Sequence, residues 1–376
     1  MEIVAFAQNY VVTFLIVLSV LVFVHEYGHF WVARRCGVKV EMFSIGFGKE
    51  LWGWTDKHGT RWKVSLLPLG GYVKMFGDTD EASSGVEPRN FTPAEKEQAF
   101  FSKTVGQRAA IVVAGPAANY LFAIVVMALL FMLYGQPFTL PEAGEVAPDG
   151  AAYAAGMRAG DRIVAIDGFK IERFEQIQQR VALNTGTPSK FEIQRGQRQM
   201  TLTVTPKITE VENAFGDTHR TARIGISKSG VDVLHHTPVS ALTTALGETW
   251  RITTGSLQAL GQMISGTRSA DELGGPLRIA QMSGKMAQLG VVELIWFMTL
   301  LSISLGLLNL FPIPLLDGGH LVYYAVEALR GRPLSEQFQE YAARSGFALL
   351  IGIMVFATWN DLVQLKIFSS LKQLFS

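Results

Sequence analysis

Residues 3–30 of the chain, IVAFAQNYVVTFLIVLSVLVFVHEYGHF, join an uncharged run to a pair of histidines. Residues 3–24 carry no charged side chain and are long enough to cross a bilayer as a helix. On a continuing helix, His25 and His29 lie one turn apart on one face, with Glu26 beside them. Two imidazoles so arranged can bind one Zn²⁺ ion, and the carboxylate can act as a general base. Because ionisable groups are costly inside a membrane, this motif indicates a functional site.

The composition is typical of a membrane protein with a soluble insert. Of the 376 residues, 49% are hydrophobic and only 17% are charged, and the mean hydropathy is positive. The formal net charge of +1 argues against a nucleic-acid partner. The single cysteine, Cys36, excludes an intrachain disulfide, and we interpret it as an inert thiol.

Four uncharged runs are candidate membrane spans. They are residues 3–24, 109–141, 294–316 and 345–360. Lys and Arg follow the first span, precede the second and lie between the third and fourth, so these ends are predicted to face the cytoplasm. Both termini and the segment between the second and third spans are therefore expected outside it. His29 and His25 lie about 8 and 14 Å from Arg34 along the helix, within the bilayer and nearer its cytoplasmic face.

The chain divides into seven segments on this basis. They are the first span with the histidines (1–36), a membrane-associated β-hairpin region and loop (37–106), the second span (107–136), a compact domain (141–208), an extracytoplasmic linker with an amphipathic helix (209–290), the third span (291–330) and the fourth (338–364). We expect a mainly α-helical membrane protein with about four transmembrane helices, a small membrane-associated β-sheet and an inserted α+β domain.

Residues 61–75, RWKVSLLPLGGYVKM, have strand-like rather than helical patterning. One interpretation is an extended edge beside the membrane site, which can accept an unfolded substrate as an added strand. The other is an interfacial hairpin that only packs. The sequence favours neither, and both remain open.

Residues 147–168, APDGAAYAAGMRAGDRIVAIDG, mark the change to a soluble domain. The pattern resembles the PDZ domain in its bacterial, circularly permuted form, and one copy is visible. The resemblance implies a domain that receives peptide termini or extended segments by strand addition, and hence a gating or substrate-sensing role. The alternative is a structural spacer.

A catalytic zinc site needs a third protein ligand, and the third span contains a candidate. Its sequence at residues 309–320 is NLFPIPLLDGGH. Pro312 and Pro314 break the helix, and Asp317 lies in the broken region at a depth where it can reach the histidines. Asp317 could instead cap the following helix. Beside an intramembrane H-E-x-x-H motif, we favour the ligand.

The motif HEYGH, the run GPAAN at residues 115–119, the PDZ pattern and NLFPIPLLDGGH together resemble the site-2 protease family. The match is to its bacterial regulator-of-sigma-E protease group, in a single-PDZ form, and covers nearly the whole chain. The resemblance implies that His25, His29 and Asp317 bind zinc and that Glu26 is the catalytic acid and base. It also implies substrate contacts from Gly70, Gly71, Asn309, Pro312 and Pro314.

The sequence hypothesis is an intramembrane zinc metalloendopeptidase of the bacterial inner membrane. By the resemblance, its substrates are transmembrane segments of single-pass membrane proteins, such as anti-sigma factors or remnant signal peptides. The alternative is a non-catalytic PDZ-bearing membrane scaffold or metal-binding protein, in which Glu26 would be dispensable. A metal transporter fits poorly, because the uncharged runs of the second and fourth spans offer no ionisable residues. Asn119, at the end of GPAAN, is expected to pack rather than to catalyse.

Overall fold

The structure is a computed structural model that describes residues 7–77, 91–182, 184, 186–212, 218–266 and 274–364. The helices are α1 (Thr13–Arg35), α2 (Pro93–Gln98), α3 (Val105–Leu133), α4 (Ala151–Ala154), α5 (Phe174–Ala182), α6 (Pro238–Ile264), α7 (Pro276–Leu289), α8 (Val291–Asn309), α9 (Asp317–Arg330) and α10 (Glu336–Gln364). The strands are β1 (Val40–Thr55), β2 (Arg61–Met75), β3 (Gln136–Thr139), β4 (Ala143–Val146), β5 (Arg162–Ile166), β6 (Phe169–Lys170), β7 (Ser189–Arg195), β8 (Arg198–Val204), β9 (Lys207–Glu212), β10 (Thr218–Arg223), β11 (Ile226–Lys228) and β12 (Val231–Leu234). Most of the loop predicted within 37–106 lies at 78–90, outside the described residues.

Four helices are long and apolar enough to cross a membrane. The candidate spans are Tyr10–Arg35, Val105–Leu133, Val291–Asn309 and Glu336–Val363. Uncharged runs of this length form helices because hydrocarbon offers no partner for backbone polar groups, which must therefore bond to one another. The predicted four spans are confirmed. The predicted mainly helical class, with a small sheet and an α+β insert, is confirmed with them.

The helix of the third candidate span, α8, ends at Asn309, and the chain breaks there before α9 begins at Asp317. Pro312 and Pro314 lack the N–H groups that would continue the helix, and Leu315 has a left-handed backbone with φ of 78°. A side-chain carbon on Gly318, in the first turn of α9, would overlap the carbonyl groups of residues 310 and 311. Glycine there lets the chain turn back closely, which puts a carboxylate at the start of α9.

Strands β1 and β2 form a sheet that packs against α1. Residues 40–45 pair with residues 71–75, and residues 50–55 pair with residues 61–65. Among the described strands, residues 71–75 have a neighbour on one side only and so form an edge. The contact with α1 is an apolar cluster whose buried members are Phe30, Ala33, Val38, Val40, Phe43, Met75, Phe100, Ile111 and Val112.

Helices α6 and α7 belong to the same compact unit as the membrane helices. The predicted amphipathic helix corresponds to α6, which buries Ala241 and Ala245 and exposes an apolar stripe that includes Trp250. The start of α7 is capped by the buried Asp361 of α10, which accepts hydrogen bonds from the backbone N–H groups of Gly275 and Arg278 at 2.9 and 3.0 Å.

The insert forms a second compact unit, Leu130–Pro238. Its main sheet has the strand order β6-β5-β7-β8, and β4 pairs with β11 and β3 with β12. Helix α5 contributes Phe174, Ile177 and Val181 to a core that also contains the buried apolar side chains of β5 and β7. The domain limits of 141–208 stay a prediction.

Asp161 is a buried carboxylate in the insert, with 1% of its side chain exposed. It accepts two hydrogen bonds from the Arg195 guanidinium, both at 2.7 Å, and one from the backbone N–H of Arg158 at 2.8 Å. Burial alone raises the pKa of this carboxyl group, but the three donors outweigh burial and hold the pKa below its usual range. The ion pair ties β7 to the loop before β5.

We expect the insert to lose stability as the pH falls below about 4. The pKa of Asp161 is lower in the folded state than in the unfolded state. The stability that its ion pair contributes is therefore complete above the unfolded-state pKa and is lost as the pH falls through the folded-state pKa. Asp161→Asn should cost about 1.5 to 3 kcal/mol at neutral pH and flatten this acid dependence. Protease resistance of the insert in the full chain measures both effects. The exposed Asp149 provides the control, Asp149→Asn. Equal acid sensitivity of wild type and Asp161→Asn would contradict the assignment.

Candidate metal centre

His25, His29 and Asp317 converge on one point of the membrane unit. The Nε2 atoms of the two histidines are 3.2 Å apart. His25 Nε2 is 3.2 Å from Asp317 Oδ2, and His29 Nε2 is 3.5 Å from Asp317 Oδ1. Both histidines are buried, with 9% and 8% of their surface exposed. The helical spacing of α1 supplies the first pair, and the break before α9 supplies the carboxylate.

The donor set fits a tetrahedral metal ion. Ligands about 2.0 Å from a tetrahedral centre lie about 3.3 Å from each other, close to the three distances observed. Asp317 Oδ2 is buried, and no hydrogen bond of good geometry reaches it from the described residues, although His25 Nε2 lies 3.2 Å away. A buried carboxylate oxygen without a well-aligned donor is costly, and a cation among these three groups would satisfy it.

Helix α3 shapes the surroundings of the imidazoles. His29 Nδ1 lies 2.9 Å from the carbonyl oxygen of Ile111, so Nδ1–H can donate there and leave Nε2 free for a metal. A side-chain carbon on Gly115 would overlap His29 Nε2 and lie 2.9 Å from His25 Cε1. A side-chain carbon on Gly28 would likewise overlap the carbonyl of Ala114. Two glycines therefore let α1 and α3 approach closely enough to enclose both rings.

Glu26 lies between the histidines and the edge of the sheet. Val73 of the edge strand lines the same cavity as Glu26. A side-chain carbon on Gly71 would come within 2.7 Å of both Ser44 O and Val22 Cγ1, and 3.3 Å from Glu26 Cγ. Glycine at this position therefore lets the edge strand lie against the helix that carries the motif.

A cavity of about 760 Å³ opens onto this cluster. Gly70, Gly71 and Asn309 line it with the two histidines, Glu26 and Asp317. Pro312 and Pro314 form the break in the third span and are not among the lining residues. The carbonyl of Pro314 instead faces α10, where a side-chain carbon on Gly346 would overlap it. The structure therefore brings seven of the nine predicted site residues to one cavity.

Among the side chains of the site that sequence reasoning missed are Phe47 and Asn119. Phe47 lines the cavity, stacks on Tyr72 with ring centroids 6.0 Å apart, and covers Gly70. Asn119, expected only to pack, has its amide nitrogen 3.1 Å from His25 Nδ1. The signal for Asn119 was present, since a polar side chain inside a span needs a polar partner and the histidines offered one.

Membrane proteins with this donor set and an adjacent glutamate are metalloproteases, which is the class that the fold and the cluster define. A comparison with known families agrees, because the family described as Peptidase family M50 matches residues 13–353. The chain belongs to peptidase family M50, the site-2 proteases. It is a zinc metalloprotease and a bacterial inner-membrane protein. The predictions of family, enzyme class and zinc are confirmed.

The curated relatives match over nearly their whole length. A protein of Agrobacterium fabrum with the provisional name zinc metalloprotease Atu1380 is 45% identical, covering 96% of this chain and 97% of that one. Metalloprotease MmpA of Caulobacter vibrioides is 39% identical, with 97% and 98% covered. The regulator of sigma-E protease RseP of Salmonella typhimurium is 35% identical, with 94% and 98% covered.

Among solved structures, the PDZ domain of an SdrC-like protein from Listeria monocytogenes aligns with 25% of this chain and 88% of that chain. The identity is 20% and the TM-score is 0.19. A score this low carries no argument. The PDZ interpretation of the insert rests on its sequence pattern.

Proposed function

We propose that the protein cleaves transmembrane segments of single-pass membrane proteins inside the bilayer. The observation that carries the proposal is the position of the cluster: His25, His29 and Asp317 meet within a membrane span, beside a glutamate and an unpaired strand edge. A peptidase that acts in water has no need to place two histidines and a glutamate in an apolar span, where ionisable groups are costly.

The proposed roles follow from the donor types. His25, His29 and Asp317 hold the zinc ion, which when bound supplies Lewis acidity to polarise a carbonyl group and acidify water. Glu26 takes the proton from the attacking water and delivers it to the leaving amine. Glu26 lines the cavity beside the three proposed ligands, where it can reach both the water and the leaving amine.

The substrate must be extended before it can be cut, because the carbonyl groups of a membrane helix are occupied by internal hydrogen bonds. The edge at residues 71–75 lies beside Glu26 and offers backbone groups to an added strand. We assign Gly70 and Gly71 to this contact, because both line the cavity at the end of this edge and beside Glu26. Asn309 faces the same cavity, and the break at Pro312 and Pro314 allows the third span to open beside it.

We further propose that the PDZ-type insert and both termini are extracytoplasmic and that the site lies nearer the cytoplasmic face. The distribution of Lys and Arg around the spans supports this orientation. The insert would then select substrates already shortened outside the cytoplasm. Anti-sigma-factor-like proteins and remnant signal peptides are the proposed substrates, and the name of the Salmonella relative supports the first.

Reconstitution in proteoliposomes with a tagged single-pass substrate tests this function. We expect a cut inside the transmembrane segment, loss of cleavage after chelation of the metal, and recovery on addition of Zn²⁺. Mass spectrometry of the fragments gives the position of the cut. A non-catalytic scaffold would bind the substrate without cutting it. Cleavage that persists at full rate in metal-free protein, or that occurs only outside the membrane segment, would overturn the proposal.

A further inference from the structure

We infer that Asn119 is a positioning residue whose amide oxygen accepts a hydrogen bond from His25 Nδ1–H and thereby keeps Nε2 available for the metal. The inference rests on the zinc site proposed above. Asn119 lies on α3, is completely buried, and places its amide 3.1 Å from His25 Nδ1. No other side chain is recorded in hydrogen-bond distance of that nitrogen among the described residues.

The orientation of the amide decides the state of His25. In the structure the amide nitrogen faces Nδ1, and the amide oxygen is buried without a hydrogen-bond partner among the described residues. An amide nitrogen donates, so this arrangement requires a lone pair on Nδ1 and a proton on Nε2, the atom that faces Asp317. A proton there prevents Nε2 from binding a metal.

A half-turn of the amide exchanges its oxygen and nitrogen without moving any other atom. The oxygen then faces Nδ1 and accepts its proton, and the lone pair of Nε2 points to the cluster. This is the tautomer that a metal-binding histidine needs, with an acceptor behind it. Metal binding therefore favours the orientation in which the amide oxygen of Asn119 accepts a hydrogen bond from His25 Nδ1–H.

A hydrogen bond from α8 fixes the backbone at Asn119, and this fixes the position of its side chain next to His25. Its carbonyl oxygen accepts a hydrogen bond from Ser302 of α8 at 2.9 Å. Ile111, whose carbonyl serves His29 Nδ1, lies two turns earlier on the same face of α3. One helix face thus supplies an acceptor for each histidine, the backbone at residue 111 and a side chain at residue 119.

The test is zinc retention by the purified full chain against a series of chelator concentrations. Asn119→Leu removes the acceptor at similar size and should weaken zinc binding about 10- to 100-fold. Asn119→Asp keeps an oxygen acceptor but cannot donate, so it should retain zinc within about threefold of wild type. The absorption spectrum of the Co²⁺-substituted protein provides a second measure, in which Asn119→Asp should match wild type in ligand geometry.

The matched control is Tyr120→Phe, which removes a hydroxyl from the next residue of α3, where it contacts Thr253 rather than His25. It should leave zinc affinity unchanged. Wild-type affinity in Asn119→Leu would overturn the inference. Equal loss in Asn119→Asp and Asn119→Leu would also overturn it, because the amide would then act as a donor or only as packing. If Asn119→Leu does not fold, the zinc affinity of Asn119→Asp is the test, and a loss of more than about threefold would overturn the inference.

A separate variant distinguishes failure of this inference from failure of the zinc site. His25→Ala should release zinc at chelator concentrations that wild type withstands. Retention of zinc in His25→Ala contradicts the proposed ligands themselves. Release in His25→Ala with no change in Asn119→Leu contradicts only the role of Asn119.

Discussion

Cleavage by Glu26→Gln is expected to be about 10²- to 10⁴-fold slower than by wild type, with the zinc content unchanged. Glutamine has nearly the same size as glutamate, so the cavity that Glu26 lines should stay intact. It cannot take a proton from water or return one to the leaving amine. Single-turnover cleavage of a reconstituted transmembrane substrate, with zinc measured on the same samples, separates loss of chemistry from loss of metal.

The control for this experiment is Glu41→Gln in β1, which neutralises a carboxylate in the same unit. Glu41 pairs with Lys74 at 3.4 Å and does not line the cavity. We expect Glu41→Gln to cleave at close to the wild-type rate. Wild-type activity in Glu26→Gln would falsify the assignment of Glu26 and would favour a scaffold in which this residue is dispensable.

The second large effect is expected from one added methyl group. Gly115→Ala would place a carbon in overlap with His29 Nε2 and 2.9 Å from His25 Cε1. A retreat of α3 would separate Ala114 from Gly28 of α1 and lose their close packing. We expect the added carbon to displace the two imidazoles at a cost of about 1 to 3 kcal/mol. This cost corresponds to zinc binding about 5- to 150-fold weaker.

Gly106→Ala provides a control in the same helix, because a side-chain carbon there meets no atom within 4 Å. It should leave zinc affinity and cleavage unchanged. Competition with a chelator measures the affinity of both variants, and cleavage of the reconstituted substrate should fall in parallel for Gly115→Ala alone. A Gly115→Ala protein that holds zinc as tightly as wild type would show that the rings are not confined as the structure indicates.

Local sequence patterns were sufficient to predict the membrane helices and the cluster of His25, His29 and Asp317, whereas Gly70, Gly71 and Asn309 came from the family resemblance. The four-residue spacing in α1 sets the two histidines on one face, and the two prolines before Asp317 fix the break. The strand at residues 61–75 was also predicted from the local pattern of its side chains. These features depend on interactions between residues close in sequence or on the length of an uncharged run.

Contacts between distant segments could not be predicted in the same way. No local pattern shows that the amide of Asn119 meets His25, or that Phe47 covers Gly70, because each depends on how elements pack. The pairing of residues 40–45 with 71–75 is also long-range. It decides which edge lies beside Glu26, and the sequence left open whether that segment binds substrate or only packs.

The separation of the cluster along the chain has a consequence for biogenesis. The histidine helix leaves the ribosome first, and Asp317 follows only after the second span, the insert and most of the third span have been made. Until α9 has been made, the histidines lack their carboxylate partner. A partly synthesised chain therefore has no complete cluster, and under the proposed function it could not cleave the membrane proteins inserted beside it.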